Sequence, residues 1–229
     1  MADSQPLWKP LLAEFTGTFT LIFAGAGAII ANEATHGGVS LLGIALAHGL
    51  AIGVMVSALG VISGGHFNPA VTFGFLVSGR IAAARALAYV IAQLAGATLG
   101  GLALVAAYPN GPAAAVHLGT PSLAPGLSGG AGILLEAIGT FFLVTVVFGT
   151  AVHPGAPRLG GLAIGLTITM DILAFGLLTG AAMNPARAFG PALVSGAWAD
   201  QIVYWIGPLA GGGVAGALYS GVYLPAASK

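Results

Sequence analysis

The chain has 229 residues, of which 57 % are hydrophobic and 5 % charged, with a formal net charge of +0. A mean hydropathy of +0.99 excludes an ordinary soluble domain and puts the chain in the membrane class. Balanced charge gives no reason to expect a nucleic-acid partner, and with no Cys there are no disulfides, thiolate metal sites or cysteine nucleophiles.

The first residues contain Asp3 and Lys9 but neither a basic leader nor a small-residue cleavage site, so the first apolar stretch reads as retained. A first span is expected over residues 11–31, long enough for a hydrocarbon core about 30 Å thick, and Glu14 lies inside it. A polar turn at 32–39 leads to a second span at 40–59, which contains His48. The apolar run is then interrupted by Ser63-Gly64-Gly65-His66-Phe67-Asn68-Pro69-Ala70-Val71-Thr72. Asn caps helices and Pro fits their first turn, so a short helix is expected from 68 to about 78.

Arg80 and Arg85 mark a membrane boundary before a third span at 86–106. A crossover rich in Gly and Pro, including Pro109, Pro112, Pro121 and Pro125, occupies 108–130, and the pattern does not assign its backbone. A fourth span at 131–150 carries Glu136 near its start. The turn at 154–157 and Arg158 introduce a fifth span at 159–178. Asn184-Pro185-Ala186-Arg187 then starts a second short helix, to about 194, and a sixth span covers 201–224.

The halves repeat. Glu14, Gly17, Thr18 and Phe19 recur as Glu136, Gly139, Thr140 and Phe141, and Leu94-Ala95-Gly96 recurs as Leu209-Ala210-Gly211. With three spans per half, the second half enters from the opposite side, an inverted repeat over about 7–107 and 130–226 within one membrane channel domain at 1–229. If both termini are cytoplasmic, Lys9, Arg80, Arg85, Arg158 and Lys229 fall inside and only Arg187 outside, in line with the positive-inside rule.

A helix of about 10 residues rises roughly 15 Å, half the hydrocarbon core, so two of them can meet N-terminus to N-terminus at the midplane. Non-helical backbone at that depth, expected at 62–67 and 179–183, is tolerated only against protein or a wet lumen. Asn68 and Asn184 would offer donors there, and the positive helix ends would repel cations. A lone Asn-Pro in a soluble chain is only a cap and turn signal; two in an apolar inverted repeat point to a pore.

Glu14 and Glu136 are equivalent intramembrane carboxylates, expected to face inward and accept backbone or hydroxyl hydrogens near the re-entrant turns. His66 is expected to position the first turn, since no pair among the His residues has metal-ligand spacing. Asp171 reads either as tuning the pore mouth or as hydrogen-bonding within the bundle. Gly96 and Gly211 would permit close helix crossings, and Tyr204, Trp205 and Tyr219 are candidate interface anchors.

The motifs at 63–72 and 184–192, Ser-Gly-Gly-His-x-Asn-Pro-Ala-Val-Thr and Asn-Pro-Ala-Arg-x-x-Gly-Pro-Ala, together with the paired Glu, resemble the aquaporin or major intrinsic protein family over essentially the whole chain. The resemblance implies an all-α right-handed bundle of six transmembrane helices plus two re-entrant half-helices. It also implies a homotetramer in membrane lipid with one pore per subunit, and passive transport without a cofactor, a metal or an enzymatic step. Carried over by distance from the Asn-Pro motifs, the family's selectivity filter falls on His48, Ile172, Ala181 and Arg187.

That set looks like the plant tonoplast branch, whose members include channels for water plus ammonia, urea or hydrogen peroxide. The short ends and heavy Ala and Gly content look bacterial, so a bacterial plasma membrane is the expected address and the vacuolar membrane the alternative. Glycerol fits less well, because that branch commonly has Asp where Ala188 follows Arg187. A water channel open to small neutral solutes is the leading expectation. A primary ammonia or broad-solute facilitator is second, and a secondary transporter, which would show saturable coupled flux, is third.

Overall fold

The computed structural model describes residues 6–108, 111–157 and 159–224; Asp3, Pro109, Arg158 and Lys229, used above, lie outside the described residues. Helix α1 (Trp8–Leu21) passes through a π-helical turn (Ile22–Ala26) into α2 (Gly27–Ala34), making one span of 27 residues. Then come α3 (Ser40–Ser63), the half-helix α4 (Pro69–Val77) and α5 (Ala83–Ala107). The second half contains α7 (Gly129–Val147), α8 (Gly160–Thr179), the half-helix α9 (Pro185–Ser195) and α10 (Val203–Leu218). Between the halves lie α6 (Pro112–Ala115) and a 3-10 turn (His117–Gly119).

Five of these helices are long and apolar enough to cross a bilayer. The sixth spanning element, α10, has 16 α-helical residues and is extended by a π-turn, Tyr219–Tyr223. Its α-helical part rises about 24 Å, so the added turn brings it close to hydrocarbon thickness.

The span leading into the first interruption ends at Ser63, later than the expected 59, while the one leading into the second ends at Thr179, within a residue of the expected 178. Helix α3 continues to Ser63 and α8 to Thr179 because the stop signal is a left-handed glycine rather than a loss of apolarity. Gly64 (φ 93) and Gly180 (φ 82) each turn their N–H back to a helical carbonyl, Gly60 and Gly176, at 2.9 Å. The non-helical stretch is thereby shortened to Gly64–Phe67 in the first half and Gly180–Met183 in the second.

The repeat is visible in the packing. Helix α1 lies on α5 as α7 lies on α10, while α3 crosses α8 between the halves. Each half-helix leans on the opposite half, α4 on α10 and α9 on α5. Side-chain methyls would not fit at two of these crossings: a Cβ on Gly96 would overlap the Phe15 carbonyl, and one on Gly211 the Ala137 carbonyl. Tyr204 is not an interface anchor. It is fully buried and its hydroxyl donates to the Thr179 carbonyl at 2.7 Å, because α10 turns that face toward the end of α8.

Candidate functional site: the junction of the half-helices

Both half-helices start in the same way. Asn68 and Asn184 are extended (φ −159 and −155), and each is followed by a Pro that could not have donated a helical hydrogen bond. The Asn68 side-chain oxygen accepts from the Ala70 N–H at 2.8 Å. The Asn184 oxygen accepts from Ala186 and Arg187 at 3.0 and 3.3 Å. The amide nitrogens cross over: Asn68 Nδ2 donates to the Met183 carbonyl at 2.8 Å and Asn184 Nδ2 to the Phe67 carbonyl at 3.0 Å. Swapping N and O in either amide would set donor against donor and oxygen against oxygen, so the network fixes the orientation. Each carboxamide retains a second N–H that these bonds do not use.

Phe67 and Met183, which receive those bonds, are themselves held in the left-handed region at φ 48 and 49. Non-glycine residues adopt it rarely and need outside support. Buried carboxylates supply it. Glu14 accepts from the Phe67 N–H at 2.6 Å, the His66 N–H at 3.0 Å, the Ser63 hydroxyl at 2.6 Å and Gln93 Nε2 at 2.8 Å. Glu136 accepts from the Met183 N–H at 2.6 Å, the Ala182 N–H at 2.9 Å and the Thr179 hydroxyl at 2.7 Å. Both glutamates are completely buried, so every acceptor filled this way removes a desolvation cost. Tyr89 and Tyr204 complete the parallel by donating to the Ser63 and Thr179 carbonyls.

The halves differ at Gln93, whose counterpart is Pro208. Gln93 Nε2 also donates to the Thr72 hydroxyl at 3.0 Å, and that hydroxyl lies 3.0 Å from the Asn68 carbonyl. Because the single hydroxyl proton goes to the carbonyl, His66 Nδ1, 3.1 Å from Thr72 Oγ1, is the donor in that contact. The His66 ring is wedged against Phe75 and Tyr89 at centroid distances of 4.3 and 5.3 Å.

A narrow cavity runs past both asparagines, with His66 and Arg187 among its polar lining and Leu21, Val71, Val147, Ile168 and Ala181 among its aliphatic walls. A wider vestibule lies beyond it, lined by Ile172, Gly176, Gly180 and the segment from Ala115 to Pro125. His48 and Arg187 line both spaces and therefore stand where one opens into the other. Of the other two residues expected in the filter, Ala181 lines the inner cavity and Ile172 the vestibule.

Arg187 is 3 % exposed, and its Nη1 donates to the Gly119 carbonyl at 2.8 Å. Gly119 lies in the crossover that sequence pattern left unassigned. Three successive left-handed residues, His117, Leu118 and Gly119 (φ 47, 54 and 69), turn its carbonyl inward. His48 Nδ1 is 2.9 Å from the Ile44 carbonyl and so carries the proton in that contact, leaving a buried Nε2 without a partner. Asp171 lines neither space; it is 1 % exposed within the bundle, and its Oδ2 makes no hydrogen bond. Among the described residues, no group of three or more His, Asp or Glu could hold a metal ion.

Two broken helices meeting at their N-termini within a bundle of apolar spans, with a narrow cavity past the junction, define an all-α integral membrane protein of the channel type. The chain belongs to the family described as major intrinsic protein, which it matches over residues 1–219. It is similar to Aquaporin TIP4-4 of Zea mays, 44 % identical over 223 residues, covering 94 % of this chain and 87 % of that protein. It is likewise similar to Probable aquaporin TIP3-2 of Arabidopsis thaliana, 44 % identical over 234 residues, covering 96 % of this chain and 86 % of that one. Among solved structures, the aquaglyceroporin from Plasmodium falciparum superposes with a TM-score of 0.84 at 26 % identity, over 95 % of this chain and 97 % of that one. The two relatives of known sequence named here are plant proteins, not bacterial ones.

Proposed function

We propose that this chain is a passive water channel that also admits ammonia and other small neutral solutes while excluding protons and ions. The observation that carries the reading is the pair of crossed asparagines, each with one N–H to spare, on the wall of a single narrow cavity. A molecule of water there would accept from both amides with its two lone pairs, leaving it able to donate to the water on either side but to accept from neither, which breaks a proton-conducting chain. The facing helix N-termini add a positive field that opposes cations.

In this reading His48, Ile172, Ala181 and Arg187 form the selectivity filter, with Arg187 supplying fixed charge and donors and the His48 ring a second side of the opening. Glu14, Glu136 and His66 are supports for the re-entrant turns, and Pro69, Ala70, Pro185 and Ala186 start the half-helices. The single channel domain consists of inverted halves at about 7–107 and 130–226, assembles as a homotetramer and has both termini in the cytoplasm. The expected bacterial plasma membrane remains part of the proposal, with the vacuolar membrane its alternative.

A second reading, a primary ammonia or broad small-solute facilitator, draws on a filter in which Ile172 and Ala181 offer only aliphatic surface beside His48 and Arg187. Stopped-flow measurements on proteoliposomes, with water, ammonia, urea and glycerol compared in one preparation, distinguish the two. Fast water flux without proton leak supports the first; slow water beside fast ammonia supports the second. Saturable flux coupled to an ion gradient would defeat both.

A further inference from the structure

The first span supplies none of the four filter residues, yet both polar arms of the filter rest on it. Leu21 lines the inner cavity and Ile29 the vestibule, so the π-turn between them, Ile22–Ala26, lies at the depth where the two spaces join. A π-turn carries one more residue than an α-turn, which widens the helix locally; such turns are frequent at functional sites.

On one side of the turn, the His48 ring packs directly against Gly25: a Cβ placed there would be 2.5 Å from His48 Cδ2 and 2.6 Å from Nε2. On the other, a Cβ on Gly119 would be 3.1 Å from Ala26 Cβ and from Ile29 Cδ1, so the loop carrying the Arg187 acceptor is also in contact with the first span. Gly25 is buried and its neighbours Ile22 and Ala26 are completely so, which leaves the ring no room to retreat behind the turn.

We propose that the π-turn of the first span sets the aperture of the filter, and that Gly25 is a specificity-determining position which seats the His48 ring out of the lumen. This rests on the filter assignment made above. A methyl at Gly25 would displace the ring away from the first span and into the passage, where Arg187 lines the same junction. Water, the smallest permeant, would be affected least. A solute as wide as urea would be affected most.

The test compares water and urea permeabilities in proteoliposomes containing the native protein, Gly25→Ala, His48→Ala and the double variant. Gly25→Ala is expected to lower the urea-to-water ratio several-fold, His48→Ala to raise it, and Gly25→Ala to have no further effect once the ring is gone. An equal fall in both backgrounds would show that Gly25 acts elsewhere and would overturn the inference. No effect of Gly25→Ala beside a clear effect of His48→Ala overturns it while leaving the filter standing. No effect of either removes the filter assignment and the inference with it. If Gly25→Ala gives no folded protein, the double variant decides: recovered yield supports a clash with the ring, and continued failure refutes it.

Discussion

The Asn68 side-chain amide donates to the carbonyl of Met183, 115 residues away, at 2.8 Å, and so closes one half of the molecule onto the other. Asn184 returns the bond to Phe67 at 3.0 Å. Each of these two acceptors is anchored through its own N–H to a buried glutamate. A chain of hydrogen bonds thus runs from Glu14 through Phe67 to Asn184, and another from Glu136 through Met183 to Asn68.

Asn68→Ala removes a helix cap and a buried cross-bond together. Loss of a cap alone costs about 1 kcal/mol, and stranding the Met183 carbonyl adds about 1–3 kcal/mol. The expected outcome is a lower thermal midpoint in detergent and reduced water permeability. An unchanged midpoint would show that the cross-bond contributes nothing.

Glu14→Gln and Glu136→Gln should differ. At Glu14 a glutamine places its NH2 against either the Ser63 and His66 donors or the Phe67 and Gln93 donors. At Glu136 the amide can be turned so that only the Met183 N–H is opposed. The Glu14 variant is therefore expected to be the less stable by about 1–3 kcal/mol, read as a difference in denaturant midpoint. Equal midpoints would reject the contribution of Gln93.

Arg187→Ala removes the fixed charge at the junction and releases the Gly119 carbonyl. Urea and glycerol permeabilities should rise relative to water, with some loss of cation exclusion, measured in the same vesicles. A variant with native selectivity would mean that Arg187 is only a loop anchor.

Gly211→Ala forces a methyl into the Ala137 carbonyl at the crossing of α7 and α10. Overpacking of this kind costs about 1–3 kcal/mol. Gly130→Ala, where nothing lies within 4 Å, is the matched control and should be neutral. Thermal denaturation of the pair would expose the error if the control proved the more harmful.

Tyr204→Phe deletes one hydroxyl and one bond, to the Thr179 carbonyl that ends α8. A loss of about 1 kcal/mol is expected from the bond itself, with folding otherwise intact. The same change at Tyr89, which serves Ser63, should give a similar value, and unequal values would show that the two halves carry different loads at these points.

The order of spans, the half-helix starts at Asn68 and Asn184, the burial of Glu14 and Glu136 and the close crossings at Gly96 and Gly211 were all legible in the chain of letters. They follow from local rules: a run of about 20 apolar residues can span lipid, Asn before Pro favours a helix start, and a carboxylate in lipid must be sheltered. The later helix end at Ser63 was signalled by the glycine that follows, whose left-handed turn rather than any change in hydropathy stops the helix. What only the tertiary structure decided is which distant groups meet. The Gly119 carbonyl reaches Arg187 through a run of left-handed residues that composition does not announce, Tyr204 faces inward because of where α10 lies, and Gly25 matters because a histidine from another span rests on it. A sequence specifies what each segment must do with its own backbone; contacts between segments depend on their relative placement in three dimensions, which no local pattern encodes.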